Sequence, residues 1–344
     1  MNRKHRKVVV VVIILAGLLS LIIFSNFKSN LVRQLQGPIE GTDSVITVGD
    51  KLSVISKENH VFTWQWKDLS IWPVVAKPAS NVVTTIADDR MIYATAGIGK
   101  LVITDLKADK ELLSLSLPYG AECKKIKTSS NGKFGAVSML VDGKDWLKLA
   151  VFDSNLMDLF FVFQNDAKEE NFSLDDFDIT NNGNLITGVG RKEKAWAFVK
   201  DVKSEKILWE KTFDEYGRFT CAEFSPDGKT IYIAEKVRFI IALDAITGNI
   251  LRTYEIPQYN TPTHQKQNIS SIAISPDGKI LAADTEPARI VWFWGWAADK
   301  EIGKIYASDL TVSGIAFSPD SKYLATGCLV APEIKIWKVP QLNK

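Results

Sequence analysis

CAEFSPDGKTIYIAE, residues 221–235, sets one short apolar stretch against another across Ser225-Pro226-Asp227-Gly228-Lys229. Proline fixes φ at the first corner, and Asp and Gly accept the angles a tight reversal demands, so the segment reads as an antiparallel hairpin. The turn returns as Ser275-Pro276-Asp277-Gly278-Lys279 between SIAI and ILAAD, and as Ser318-Pro319-Asp320-Ser321-Lys322 between GIAF and YLATG. Weaker copies stand upstream in the same phase: Ser130-Asn131-Gly132-Lys133, Asn181-Asn182-Gly183-Asn184, Ala87-Asp88-Asp89-Arg90 and Val48-Gly49-Asp50-Lys51. Anchored on Gly49, Asp89, Gly132, Gly183, Gly228, Gly278 and Ser321, the seven copies are 40, 43, 51, 45, 50 and 43 residues apart. Each interval holds four short strands. A second marker keeps step, because LVITD, LAVFD, AFVKD and IIALD end on Asp105, Asp153, Asp201 and Asp244, where a third strand would turn into a fourth.

The final unit, GIAFSPDSKYLATGCLVAPEIKIWKV (314–339), resembles the repeat of the WD-repeat propeller family, with Trp337 at that family's tryptophan position and Lys338 where it has aspartate. No Gly-His dipeptide opens the units, and most third strands lack Trp. ALDAITGNIL (242–251) instead resembles the repeat of quinoprotein-type propellers, echoed by Lys206-Ile207-Leu208-Trp209. The resemblance implies an all-β fold: a seven-bladed β-propeller of four-stranded antiparallel blades spanning residues 31–344. It implies no quinone, since the adjacent cysteine pair of the quinone-dependent dehydrogenases is missing.

The chain stops soon after the third strand of its last unit, EIKIWKV, which leaves that blade one strand short. An open edge invites aggregation. Residues 31–37, LVRQLQG, read like a fourth strand and are predicted to close the last blade.

Ahead of the propeller, Arg3, Lys4, His5, Arg6 and Lys7 precede an uncharged apolar run from Val8 to Phe24. As a helix, 17 residues span about 26 Å, close to the thickness of a hydrocarbon core. The reading is a cytoplasmic basic tail (1–7), a single transmembrane signal-anchor helix (8–24) and a short linker (25–30). Positive charge before the run places the propeller on the extracytoplasmic side, periplasmic, extracellular or lumenal. The alternative, a cleaved signal, lacks its small-x-small site, since Ser25, Asn26, Phe27 and Lys28 follow.

Composition narrows the functions. A formal net charge of +2 on 344 residues, with Lys and Arg scattered, speaks against nucleic acid. Cys123, Cys221 and Cys328, an odd number about a hundred residues apart, show no disulfide framework or zinc spacing and read as free thiols in or near strands. With only His5, His60 and His264, and no HExxH, GxSxG or CxxC, no catalytic residue, metal ligand or cofactor site is assigned. The acidic stretch KEENFSLDDFD (Glu169, Glu170, Asp175, Asp176, Asp178) lacks the spacing of a calcium loop and reads as an exposed linker between blades. Trp292, Trp294 and Trp296 recur with period two, as core filling between blades or, alternatively, as an aromatic rim for a partner or lipid headgroups. Trp72, Trp296 and two residues of the long polar connection 258–268, Tyr259 and His264, are the partner-binding candidates. The expected function is a membrane-anchored scaffold for protein partners; the alternative is a propeller enzyme or small-ligand or metal sensor built around the central channel.

Overall fold

The hairpin turns are stapled by their own side chains. In a computed structural model, Ser225 Oγ donates to Asp227 Oδ1 at 2.6 Å, the Lys229 amide donates to the same oxygen at 3.1 Å, and the Thr230 amide donates to Ser225 Oγ at 3.0 Å. The same three bonds recur at Ser275/Asp277 and Ser318/Asp320. They recur again at Ser129/Asn131 and Thr180/Asn182, where Asn replaces Asp. The fourth turn residue is left-handed throughout: Gly132, Gly183, Gly228, Gly278 and Ser321 have φ of 67°, 71°, 70°, 71° and 61°. Glycine is favoured there because a Cβ is strained at positive φ.

The structure describes residues 30–341 apart from 38–40, 57–59, 70, 77–81, 88–89, 96–99, 106–109, 119, 142–145, 154–158, 167–171, 258–266, 297–300 and 308–310. The apolar run from Val8 to Phe24 lies outside them. Among the described residues no helix is long and apolar enough to cross a membrane.

After a first strand, β1 (Leu31–Gln36), the chain forms its blades in order. Blade 1 is β2 (Thr42–Val48), β3 (Lys51–Ser56), β4 (Val61–Gln65) and β5 (Ile71–Ala76). Blade 2 is β6 (Val82–Ala87), β7 (Arg90–Thr95), β8 (Lys100–Asp105) and β9 (Lys110–Ser116). Blade 3 is β10 (Glu122–Thr128), β11 (Phe134–Val141), β12 (Trp146–Asp153) and β13 (Leu159–Asp166). Blade 4 is β14 (Phe172–Ile179), β15 (Leu185–Lys192), β16 (Lys194–Asp201) and β17 (Ile207–Phe213). Blade 5 is β18 (Phe219–Phe224), β19 (Thr230–Glu235), β20 (Phe239–Asp244) and β21 (Ile250–Glu255). Blade 6 is β22 (Asn268–Ile274), β23 (Ile280–Glu286), β24 (Ile290–Gly295) and β25 (Glu301–Tyr306). Blade 7 is β26 (Val312–Phe317), β27 (Tyr323–Cys328) and β28 (Glu333–Lys338), completed by β1. The chain is therefore a seven-bladed β-propeller of four-stranded antiparallel sheets.

The first strands of successive blades touch in a closed cycle around a central channel, from β2 through β6, β10, β14, β18, β22 and β26 back to β2. The core lies between blades. Along β12, Leu149 and Val151 pack toward blade 4 while Ala150 and Phe152 pack toward blade 2, the period-two division of a strand buried on both faces. In β24, Trp292 and Trp294 fill the interface with blade 5, whereas Val291 and Phe293 fill that with blade 7. The tryptophans of period two are core packing at those two positions.

Two ends of the ring follow from this topology. The turn end carries the first-to-second-strand turns and the third-to-fourth-strand turns; the crossover end carries the second-to-third hairpins and the connections between blades. At the turn end the two kinds of turn are bonded together in five blades, with Trp66 N to Asp50 O, Val202 N to Asn184 O, Ala245 N to Lys229 O, Trp296 N to Lys279 O and Val339 N to Lys322 O, all at 2.8–2.9 Å.

The strand β1 runs antiparallel along β28, from Leu31 opposite Trp337 to Gln36 opposite Glu333, with a bulge at Val32. Leu35 is buried against Ile334 and Ile336 in the cluster that joins blades 7 and 1. Replacing Leu35 by Ala is expected to cost about 2–4 kcal/mol through lost burial and a residual cavity. Gln34→Ala, on the exposed side of the same strand, should stay within about 0.5 kcal/mol. Chemical denaturation of the two variants beside the parent protein checks both.

Candidate binding surfaces of the ring

Strands that line a propeller channel have one edge with no neighbour, so their inward amides and carbonyls need other partners. In blade 5 those partners are side chains from blades 3 and 4. Asp176 Oδ2 accepts the Ala222 amide at 3.0 Å and Asp178 Oδ2 accepts the Phe224 amide at 2.7 Å. Lys127 Nζ donates to the Ala222 carbonyl at 3.2 Å. Lys127 also lies 3.3 Å from Asp176 and 3.4 Å from Glu223, and Lys125 Nζ is 2.7 Å from Asp176 Oδ1.

These residues occupy equivalent places in successive first strands. Counting back two residues from each turn Ser or Thr gives Lys127, Asp178, Glu223, Ala273 and Ala316; counting back four gives Lys125, Asp176, Cys221, Ser271 and Gly314. Blades 3 to 5 thus line the channel with charge, and blades 6 and 7 with small side chains. The channel cavity is about 1230 Å³ and is bounded by residues from both halves.

Burial sorts the protons in this cluster. Burial alone would raise Asp176, but Lys125 and Lys127 outweigh it and hold the carboxyl below its usual range. Lys127 is held charged, with Asp176, Glu223 and Asp178 overcoming the cost of burial. Asp178 is pushed up to about 8, first by burial and then by Glu223. Glu223 is raised as well, chiefly by burial. Asp178 and Glu223 therefore hold their protons more readily than exposed carboxyls do, while Asp176 and the lysines form an ion-paired core. In blade 6, Asp284 is fully buried, accepts a hydrogen bond from Ser270 Oγ at 2.5 Å and is pushed up to about 7.

This geometry corrects one expectation. Asp175, Asp176 and Asp178 belong to β14 rather than to an exposed linker, and Asp176 and Asp178 are buried. Glu169 and Glu170 lie outside the described residues. The alternation Asp176-Phe177-Asp178-Ile179, immediately before Thr180 of a turn copy, was the signal for a first strand.

Of the partner-binding candidates only Trp296 has a described side chain. Tyr259 and His264 lie outside the described residues. Trp72 sits near the start of β5 at the turn end, paired with Thr63; its side chain is outside the description. Trp296 closes the third strand of blade 6, also at the turn end, with 38% of its surface exposed and its ring edge-on to Tyr232 of blade 5 at 5.9 Å. His60 is half-buried, its amide donating to Ser56 Oγ. The three cysteines are free and buried, and burial pushes the Cys123 and Cys221 thiols up to about 12. Among the described residues no three of His, Cys, Asp and Glu are grouped to hold a metal ion.

Comparison with known proteins follows the same lines. Residues 299–338 match the model of the WD domain, G-beta repeat. That span joins the outer strand of blade 6 to three strands of blade 7, so the sequence repeat is offset from the structural blade. The solved structures it resembles include the β-propeller domain of Myceliophteria thermophila Cps50 (Swd1), at 15% identity over 90% of this chain and 99% of that one, with a TM-score of 0.69. A chain of the Mitotic Checkpoint Complex matches at 15% identity, 92% and 93% coverage and a TM-score of 0.70. Kuenenia stuttgartiensis Hydrazine Synthase matches at 13% identity, 89% and 97% coverage and a TM-score of 0.65. No curated protein matches the chain. At these identities the structural likeness establishes the propeller fold alone.

The raised carboxyls set a pH dependence. An unfolded Asp titrates near ~3.9, so the stability tied to protonated Asp178 and Asp284 is complete below about pH 4 and is lost as pH rises through about 7–8. The thermal midpoint is expected to fall between pH 5 and 8.5, and Asp178→Asn, which keeps an acceptor for Phe224, should flatten that fall. Asp176→Asn should act oppositely, leaving Lys125 and Lys127 short of a counter-charge and costing about 2 kcal/mol at pH 7, less than a fully buried pair because both lysines reach solvent. Calorimetry of the two variants across this range distinguishes the effects.

Proposed function

We propose that this chain is a membrane-anchored propeller that serves as a scaffold, holding protein partners of a membrane-associated complex on the extracytoplasmic side. The observation that carries the reading is the seam of the ring. The first described strand, β1, is hydrogen-bonded into blade 7, and only residues 25–29 separate Asn30 from the apolar run that ends at Phe24. An anchor so placed would hold a rigid, closed disc within about 20 Å of the bilayer. The basic residues Arg3 to Lys7 ahead of the run orient its N-terminus to the cytoplasm. One of the similar structures supports the scaffold reading by analogy, being part of a named multi-protein complex.

A second reading is favoured by one observation. The channel is charged on one side and lined by small residues on the other, which suits a small polar ligand that would face Lys125, Lys127 and Glu223. The hydrazine synthase among the similar structures shows that a chain of this fold occurs within an enzyme.

Affinity isolation of the full-length protein from gently solubilised membranes, with mass spectrometry of co-purifying proteins and of the bait's own N-terminus, tests the scaffold. A reproducible stoichiometric partner with an intact Met1-to-Phe24 segment is expected. A solitary protein that begins near Ser25 would overturn it.

A further inference from the structure

The turn end of the ring carries most of the exposed large apolar side chains among the described residues. Eight large apolar side chains stand exposed among the described residues, and seven of them lie at the turn end; only Val330, between β27 and β28, is at the crossover end. Strand geometry accounts for these exposed positions. Val32, Leu112 and Leu251 are the unpaired residues of bulges near the start of the outer strands β1, β9 and β21, and a bulge turns a side chain out of the alternation that would bury it. Ile207 and Ile250 open β17 and β21, and Ile246 and Trp296 stand in the third-to-fourth-strand turns of blades 5 and 6. Scattered exposed apolar residues are ordinary on any protein. Among the described residues these seven share the turn end; much of the crossover end, including 57–59, 96–99, 142–145 and 258–266, lies outside them.

Exposed charges stand at both ends. At the crossover end three exposed cations pair across strands or blades: Arg218 makes two bonds to Asp175 at 2.5 and 2.6 Å, Lys194 lies 2.9 Å from Asp214, and Arg238 pairs with Glu255. At the turn end Lys229, Lys279 and Lys322 project with side chains 82%, 67% and 68% exposed, each only in reach of its own turn aspartate at 3.3–3.9 Å. Apolar side chains interspersed with long, exposed lysines suit the boundary between lipid headgroups and acyl chains.

The tether enters at the same end. The Asn30 carbonyl accepts the Lys338 amide at 2.8 Å, beside the last third-to-fourth-strand position of the ring. Residues 25–29 reach at most about 20 Å, and a six-residue strand is itself about 20 Å long. For the crossover end to face the bilayer, the tether would have to run fully extended beside β1 and spend all its length doing so.

We propose that the turn end of the ring lies on the bilayer surface, with Val32, Leu112, Ile207, Ile246, Leu251 and Trp296 seated among the lipid headgroups. The crossover end and its channel mouth then face away, toward protein partners. This inference rests on the anchored reading above.

The test uses the full-length protein reconstituted in phosphatidylcholine vesicles that carry a nitroxide on the lipid headgroup. Because the native thiols are buried, a fluorophore is attached selectively at Lys279→Cys on the turn end or at Lys236→Cys on the crossover end. Quenching at position 279 is expected to exceed that at 236 at least twofold. Equal quenching, or stronger quenching at 236, in vesicles that carry the protein through flotation overturns the orientation while the anchor stands. Flotation with no quenching at either position also overturns it and assigns the apolar belt to a protein partner. Failure to float with the vesicles after an alkaline carbonate wash overturns the anchored reading itself, and the orientation with it.

Discussion

Antiparallel pairing between β1 and β28 is the constraint on which the ring depends. A seven-bladed array assembled in chain order would leave β28 with a bare edge and blade 7 with three strands. Spending an N-terminal strand there satisfies the open edge and, through Leu35 packed on Ile334 and Ile336, ties blade 7 to the cluster it shares with blade 1. Every other interface between blades is joined by continuous chain as well as by packing; this one is also held by a strand borrowed from the opposite terminus.

The inner edges pose the same problem in another form. No eighth sheet fills the channel, so the inward amides of β18 turn to the carboxylates of Asp176 and Asp178, and an inward carbonyl turns to Lys127. Charge is brought into a confined space for a structural purpose, and the lysines and acids then neutralise one another. The same residues make that half of the channel polar, so one cluster serves the fold and gives the cavity its chemical character.

Much of the fold was legible because the turn chemistry is local. Ser225, Asp227 and Gly228 need only one another to staple a hairpin, and their copies announce the repeat whatever the blades pack against. Blades 3 and 4 showed the limit of reading by identity: Ser129 and Thr180 make the bonds of Ser225, yet Asn in place of Asp and the absence of Pro blur the copy. The closing strand was readable from the missing fourth strand of the last blade. The site was far less legible. The channel cluster joins Lys127, Asp176 and Glu223, residues 49 and 47 positions apart, and only the ring curvature brings them together. An acidic run read alone resembles a solvated linker, and its burial shows only once the strand register is applied. Trp296 could be put on the same strand face as Trp292 and Trp294, but its exposure depends on the strand ending at Gly295.

The seam also has a kinetic side. β1 finds its partner only when β28 exists, about 300 residues later, so closing the ring is the longest-range strand pairing among the described residues and follows the loop entropy of nearly the whole chain. At roughly 5–20 residues per second of synthesis, β1 spends on the order of 15–60 s as an unpaired strand with free amides and carbonyls. Its sequence suits that wait: Arg33, Gln34 and Gln36 keep it polar, leaving Leu35 as its one buried apolar side chain, so the segment is a poor template for premature pairing.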